Sequence, residues 1–239
     1  MKAVIIAAGE GKRLRPLTLD KPKQLVLALG KPLIQYVWDV LPEAIDEVIL
    51  VVGYKGDMIK EFLGAEYMGK KITYIEQYQP LGTARAFKLC KSHLMEEEKF
   101  LVMYADDIHG KEAVEKLIKH DAALLVSPVA DPRNFGVVVK NPDGTVKNIE
   151  EKPEHPKSNL AATGVYMLNP KIFNYDIWPT HNGEYYLTDM IERYIHENPM
   201  HVVESDLWIP IAYPHDIVRA EELLLGIDRV VPFAKTKTA

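Results

Sequence analysis

The sequence predicts an open α/β fold: a mostly parallel sheet with helices on both faces, followed by a smaller mixed-sheet lobe. Three observations carry this prediction. Short, mostly apolar runs recur at residues 3–8, 47–52, 72–76, 100–103 and 122–126, as expected of strands buried on both faces of a parallel sheet. Stretches with apolar residues at helical spacing lie between them. Beyond Pro128 the strand-like runs are separated by turn residues instead.

The first run, residues 3–8, passes directly into a loop of glycines and basic residues over 9–23. Pro32 stands where a helix can begin, and Ile34, Val37, Trp38 and Leu41 follow at helical spacing. Met58, Ile59, Phe62 and Leu63 repeat that pattern in the next connection, and residues 84–94 in the one after. Strand, helix, strand in this order implies right-handed crossovers and a Rossmann-like sheet. Ligands in such sheets gather at the carboxyl ends of the strands, where Gly9 and Asp106 fall. In the second half, residues 135–139 and 146–149 flank Asn141-Pro142-Asp143-Gly144, a turn expected to close a hairpin. Residues 161–168 read as a further strand, 186–196 and 214–230 as helices, and 200–203 as a last strand. The expected division is one domain over 1–230, with parts 1–128 and 129–230, and a loose tail over 231–239.

Composition narrows the function classes. With 239 residues, 47% of them hydrophobic, the chain can bury a full core. A net charge of -5 gives no reason to expect a nucleic-acid partner. The single cysteine, Cys90, cannot form an intrachain disulfide, so a reducing, cytoplasmic setting is expected. No apolar run approaches the length needed to cross a bilayer, and no membrane partner is expected. The eight histidines lack metal-ligand spacing and read as surface or packing residues, and Trp38, Trp178 and Trp208 as core.

Function concentrates in the glycine loop, Gly9-Glu10-Gly11-Lys12-Arg13-Leu14-Arg15-Pro16-Leu17-Thr18, then Lys21-Pro22-Lys23-Gln24. Glycines at a strand's end let backbone N–H groups approach phosphate oxygens. Residues 10–31 hold six Lys or Arg and two acids, a local +4 that suits a polyanion, with Arg13, Arg15, Lys21 and Lys23 as mobile charges. A Walker A loop is excluded by Ile6 and Arg13, and a dinucleotide fingerprint by Leu14. What the residues do match is G-x-G-x-R-L-x-P-L-T-x-x-x-P-K.

That pattern resembles the sugar-phosphate nucleotidylyltransferases, the enzymes that make nucleotide sugars, from Lys2 to about Gly226. The resemblance implies that a sugar-1-phosphate oxygen attacks the α-phosphorus of a nucleoside triphosphate and pyrophosphate leaves. The nucleophile is already an anion, so the site must supply alignment and positive charge rather than a general base. By resemblance Arg13 is the catalytic arginine, Lys23 the triphosphate-side lysine, and Ala8, Gly9 and Gly11 border the nucleotide. Gln77 with Leu81-Gly82-Thr83-Ala84 resembles the base-recognition turn, with Gln24 close to it, and favours UTP or dTTP. Asp106, closing the strand Leu101-Val102-Met103-Tyr104-Ala105, takes the position that holds Mg²⁺, although Ala105 replaces the usual glycine. Asp107 suits an N-cap for a helix over 111–120 at least as well as a metal.

Glu150-Glu151-Lys152-Pro153 resembles the sugar-phosphate motif, with Lys152 for the phosphate and Glu151 for sugar hydroxyls. Gly136, Thr163 and Gly164 match positions bordering the sugar, and Glu184-Tyr185-Tyr186-Leu187-Thr188-Asp189 a helix start that faces it. Singly these are commonplace surface and turn sequences; their order after Asp106 favours function. One departure is plain. Relatives usually carry Trp-x-Asp-x-Gly-x-Pro-x-Asp, whose first Asp is a second metal ligand, and here Pro210 stands in its place within Trp208-Ile209-Pro210-Ile211-Ala212-Tyr213-Pro214-His215-Asp216. Asp206 substitutes only if the strand bends, and Asp216 reads as part of the last helix's first turn. Some relatives continue into a C-terminal left-handed β-helix, which this sequence does not reach, so acyl transfer is not expected. Two other functions stay open: a cytidylyltransferase for inositol or choline phosphate, and a non-catalytic module that binds nucleotide sugars. The oligomeric state is open too, a homo-oligomer included.

Overall fold

A computed structural model describes residues 1–180 and 183–226. Ten strands form one sheet. Lys2–Ala7 runs parallel to Glu47–Val52 on one side and to Phe100–Tyr104 on the other. Lys70–Glu76 follows in parallel beyond Glu47–Val52. Chain order therefore moves outward from the first strand and then reverses across it. The crevice at such a reversal, beyond the strands' carboxyl ends, is where open α/β sheets take ligands.

The expected mixed-sheet lobe is an extension of the same sheet. Leu160–Leu168 lies antiparallel to Phe100–Tyr104, with Val165 opposite Met103 and Leu168 opposite Phe100. Its first residues pair instead with Gly136–Lys140, which forms the expected hairpin with Val146–Glu151. Ala123–Pro128 pairs with it on both sides of an irregularity between Ala162 and Tyr166, and His201–Glu204 joins Ala123–Pro128 in parallel. Leu160–Leu168 is thus the strand at which the sheet forks.

Helices cover both faces, and the first strand's alternation explains why. Val4 and Ile6 join a core with Phe87, Leu94, Phe173 and Ile191, beneath Thr83–Lys88 and Leu187–Tyr194. Ala3 and Ile5 join another with Val37, Trp38, Ile59 and Leu117, beneath Leu33–Asp39, Gly56–Leu63 and Lys111–Leu117. Successive side chains of a strand point to opposite faces, so one apolar run feeds both cores. Each fully buried Ile or Val contributes ~1.5–3 kcal/mol.

Several expectations need correction. Residues 84–94 form two short helices, Thr83–Lys88 and Lys91–Leu94, rather than one. Phe87, Cys90 and Leu94 are buried throughout the pair, and burial pushes the Cys90 thiol up to about 12. Met58 and Phe62 are exposed while Ile59 and Leu63 are buried, because an eight-residue helix lying on a sheet presents a single i, i+4 stripe. Trp38 is core, but Trp178 is 62% exposed. The cap of Lys111–Leu117 is not Asp107. Ala113 N donates to Asp206 Oδ1 at 3.2 Å, and a Cβ on Gly110 would fall 2.4 Å from that carboxylate. The last helix spans Pro214–Leu224 and ends in a turn at Leu225 and Gly226; the rest of its expected span, 227–230, and the tail lie outside the described residues.

His109 is buried in the two-stranded ladder of Ile108–His109 with Trp208–Ile209. Neither of its ring nitrogens has a hydrogen-bond partner among the described residues, and burial pushes its pKa down to about 4. An unfolded histidine titrates near ~6.5, so the folded state binds this proton less readily. Its stabilising contribution is complete above that pH and is lost as pH falls toward 4. We expect acid to cost up to about 3 kcal/mol through this group, read as the change in urea midpoint between neutral and acidic buffer. His109→Leu should flatten that slope, and an unchanged slope would contradict the assignment.

Candidate active site

Two hollows open at the carboxyl end of the sheet. A cavity of about 980 Å³ lies beyond Phe100–Tyr104 and over the forked strand, lined among others by Arg13, Lys23, Thr83, Asp106, Gly136, Glu151, Lys152, Thr163 and Gly164. A smaller one, about 430 Å³, lies beyond Lys2–Ala7, Glu47–Val52 and Lys70–Glu76, and is lined by Ala8, Gly53, Tyr54, Gln77 and Pro80 among others. The glycine loop contributes to both, Glu10 to the smaller and Arg13 and Lys23 to the larger.

The loop is internally braced. Gly11 adopts a left-handed conformation (φ 65°), and its carbonyl accepts from Thr18 Oγ1 at 2.9 Å. The Tyr54 hydroxyl donates to the carbonyls of Thr18 and Leu19. The expected set of four mobile cations is not realised. Arg15 pairs with Glu10 at 2.6 Å, and Lys12 pairs with the same carboxylate at 3.1 Å. Arg13 and Lys23 are the loop's cations that line the large cavity. Lys23 is only 7% exposed, and its Nζ donates to Asp106 Oδ2 at 2.7 Å and to the Ile211 carbonyl. The Arg13 guanidinium lies 5.7 Å from the Tyr213 ring centre, and that ring stacks on His215.

The adjacent carboxylates do different work. Asp106 faces the cavity with its side chain 37% exposed. Asp107 Oδ1 accepts from Ile211 N and its Oδ2 from Trp208 Nε1, both at 3.0 Å. Burial and the charge of Asp106 push the Asp107 carboxyl up to about 7. Asp216 Oδ2 accepts from Ala212 N and Tyr213 N, which confirms its place in the first turn of the last helix. Asp206, holding the start of Lys111–Leu117, gives no support to a metal role. Among the described residues no three carboxylate, histidine or cysteine side chains gather into a metal cluster.

On the far wall, Glu151 Oε2 accepts from Thr188 Oγ1 at 2.6 Å. Lys152 holds a left-handed backbone (φ 45°), its Nζ donating to Tyr186 Oη at 2.9 Å and lying 3.3 Å from Glu151. Burial pulls the Lys152 pKa down, but Tyr186 and Glu151 outweigh it and leave it raised. Gly136 has Thr188 against it, where a Cβ would come within 2.8 Å. Thr163 Oγ1 is buried at the cavity with no partner among the described residues. Gly164 (φ 82°) has the Tyr104 ring where a side chain would go.

On the other side, Gln77 Nε2 donates to the Gly82 carbonyl at 3.3 Å, and Thr83 Oγ1 accepts from Leu187 N at 3.0 Å. Gly82 (φ 99°) has the Tyr185 backbone against it, where a Cβ would fall 2.4 Å from the carbonyl oxygen. Gln24 is buried and lines neither hollow, and its Oε1 has no partner among the described residues. The Glu184-to-Asp189 motif brings Tyr186 and Thr188 to the cavity as expected. Sequence reasoning missed Tyr104 and Tyr166, which read as strand residues, and took Trp208 for core although it also forms cavity wall.

A glycine loop and a strand-end carboxylate meeting at a sheet's switch point, opposite a wall that bears a lysine, fit a nucleotide-transfer fold. The chain belongs to the nucleotidyl transferase family, whose pattern it matches over residues 2–225. It is 36% identical over 236 residues to the UTP–glucose-1-phosphate uridylyltransferase AglF of Haloferax volcanii, covering 94% of this chain and 96% of that one. It is 34% identical to the bifunctional protein GlmU of Methanocaldococcus jannaschii, over 94% of this chain but only 54% of that protein's length. A crystal structure from Bacillus anthracis assigned as a glucose-1-phosphate thymidylyltransferase superposes with a TM-score of 0.81 at 30% identity, covering 98% of each chain.

Gly164 offers a direct test of the cavity's architecture. Gly164→Ala places a methyl 2.4 Å from the Tyr104 ring on a left-handed backbone, and should cost roughly 2–4 kcal/mol by overpacking and strain. Denaturant unfolding reads this directly, and a midpoint within error of wild type would contradict the packing.

Proposed function

We propose that the protein transfers a nucleotidyl group from a nucleoside triphosphate, UTP or dTTP, to a sugar-1-phosphate, giving a nucleotide sugar and pyrophosphate. The observation that carries this reading is the Lys23–Asp106 pair, set between the glycine loop and the wall that bears Lys152. The acceptor phosphate needs no deprotonation, so the chain's residues serve to hold two polyanions close and in line. Lys152 Nζ takes the acceptor phosphate, while Glu151 and Thr163 Oγ1 take sugar hydroxyls. Arg13 and Lys23 offset charge that grows at the α-phosphorus as the new bond forms. Ala8, Gly9 and Gly11 border the phosphates, and Gln77, Gly82 and Thr83 lie on the base side, where an amide can both donate and accept. Gln24 is assigned to the same side as a second amide.

Asp106, partly open to the cavity, would hold Mg²⁺ with the remaining ligands from phosphate and water, since this ion commonly binds through one or two carboxylates. When bound it supplies positive charge to the triphosphate oxygens. Pro210, also at the cavity, adds no carboxylate. Asp106→Ala should therefore abolish Mg²⁺-dependent turnover, and Pro210→Asp should lower the Mg²⁺ concentration needed for half-maximal rate. A buried free thiol at Cys90 accords with a reducing, cytoplasmic setting, and among the described residues no helix is long and apolar enough to cross a membrane.

A grid of nucleoside triphosphates against hexose-1-phosphates, inositol phosphate and choline phosphate, scored for pyrophosphate, tests the reading. Release with UTP or dTTP and a hexose-1-phosphate is expected. Release only with CTP and an alcohol phosphate would move the assignment, and silence throughout would favour a binding module. Within the responsive pair, Arg13→Ala should lower kcat by about two orders of magnitude. Lys152→Ala should raise KM for the sugar phosphate by about tenfold or more while leaving that for the nucleotide near wild type.

A further inference from the structure

We propose that Asp107 is a positioning residue that fixes the ammonium of Lys23 by holding the backbone of Ile211. The proposal rests on the role given to Lys23 above. Two links define it. Ile211 N donates to Asp107 Oδ1, and the Ile211 carbonyl accepts from Lys23 Nζ. One residue's backbone thus connects Asp107, a half-buried carboxylate on the cavity's edge, to the lysine in the cavity. The second Asp107 oxygen is taken by Trp208 Nε1, so both of its oxygens grip the segment from Trp208 to Ile211.

That segment is well placed to act as a fixed support. Trp208 and Ile209 are laddered to His109 and Ile108, and Ala212 N and Tyr213 N are held by Asp216 at the other end. The Ile211 side chain is buried in a core with Leu14, Leu33 and Ile217. Lys23 has two acceptors of unequal constancy. Asp106 is partly exposed to the cavity and open to competition from a guest, whereas the Ile211 carbonyl belongs to the braced wall. When a guest draws on Asp106, the carbonyl is the contact that keeps the ammonium in place. Its position depends on Asp107.

The test uses the full chain and a readout independent of turnover. Lysines are acetylated with limiting acetic anhydride and the rate at Lys23 is compared by peptide mass spectrometry with that at Lys70. The Lys70 ammonium also donates to two backbone carbonyls, of Pro42 and Ile45, far from the cavity. In Asp107→Ala the Lys23 rate should rise by about tenfold with Lys70 unchanged, and kcat should fall by about tenfold to a hundredfold with the sugar-phosphate KM near wild type. In Asp107→Asn one amide group must face a donor, either Ile211 N or Trp208 Nε1. Removing the indole donor in Asp107→Asn/Trp208→Phe should return Lys23 labelling to within about twofold of wild type. Unchanged Lys23 labelling in Asp107→Ala, a parallel rise at Lys70, or no recovery in the double variant would each overturn the proposal. A wild-type protein silent with every substrate pair would overturn the proposed function instead, and the labelling would still decide the role of Asp107.

Discussion

A lysine ammonium withdrawn from water has to be met by acceptors, and that requirement organises this site. Lys23 is 7% exposed, and its partners come from well-separated parts of the chain: Asp106 from the end of a central strand, and the Ile211 carbonyl from the wall before the last helix. Leaving either contact unmade would strand a charge in a medium that solvates it poorly. The glycine loop therefore cannot settle until the strand Phe100–Tyr104 and the residues around 208–211 are both in place. The electrostatic requirement and the sheet's topology select the same crevice.

The loop's formal charge overstates what a ligand would meet. Glu10 engages both Lys12 and Arg15, and exposed pairs of this kind add little stability while still cancelling charge locally. What the loop presents to the cavity is one guanidinium, resting near the Tyr213 ring, and one hydrogen-bonded ammonium. Opposite them, Lys152 stands beside Tyr186 and Glu151. The cations are thus distributed on two sides of a space rather than pooled in one patch.

Much of this was legible in the sequence, for identifiable reasons. Parallel strands buried on both faces are nearly pure apolar runs, so Lys2–Ala7, Glu47–Val52 and Phe100–Tyr104 could be read directly. The glycine loop could be read because its requirements are local. The fate of Asp107 and Asp206 could not, because each bonds to backbone about a hundred residues away, and local spacing favoured a cap at Asp107 that Asp206 provides. The same holds for Tyr104 and Tyr166, whose rings meet at the cavity only because Leu160–Leu168 pairs with Phe100–Tyr104. Trp178 misled for the opposite reason. Aromatic bulk argues for burial, but that residue lies outside regular structure and stays in solvent.

The fork at Leu160–Leu168 has a mechanical consequence. Because this strand is hydrogen-bonded to Phe100–Tyr104 at one end and to the hairpin strand Gly136–Lys140 at the other, the two sides of the cavity are stitched into one plate. No flexible linker separates them, and swinging one against the other would tear ladder hydrogen bonds. Relative movement at the cavity is thereby left to segments outside the ladder, such as the 3-10 turn at Pro132–Asn134. The spacing between the two walls of the cavity is then a property of the sheet itself, set when the chain folds.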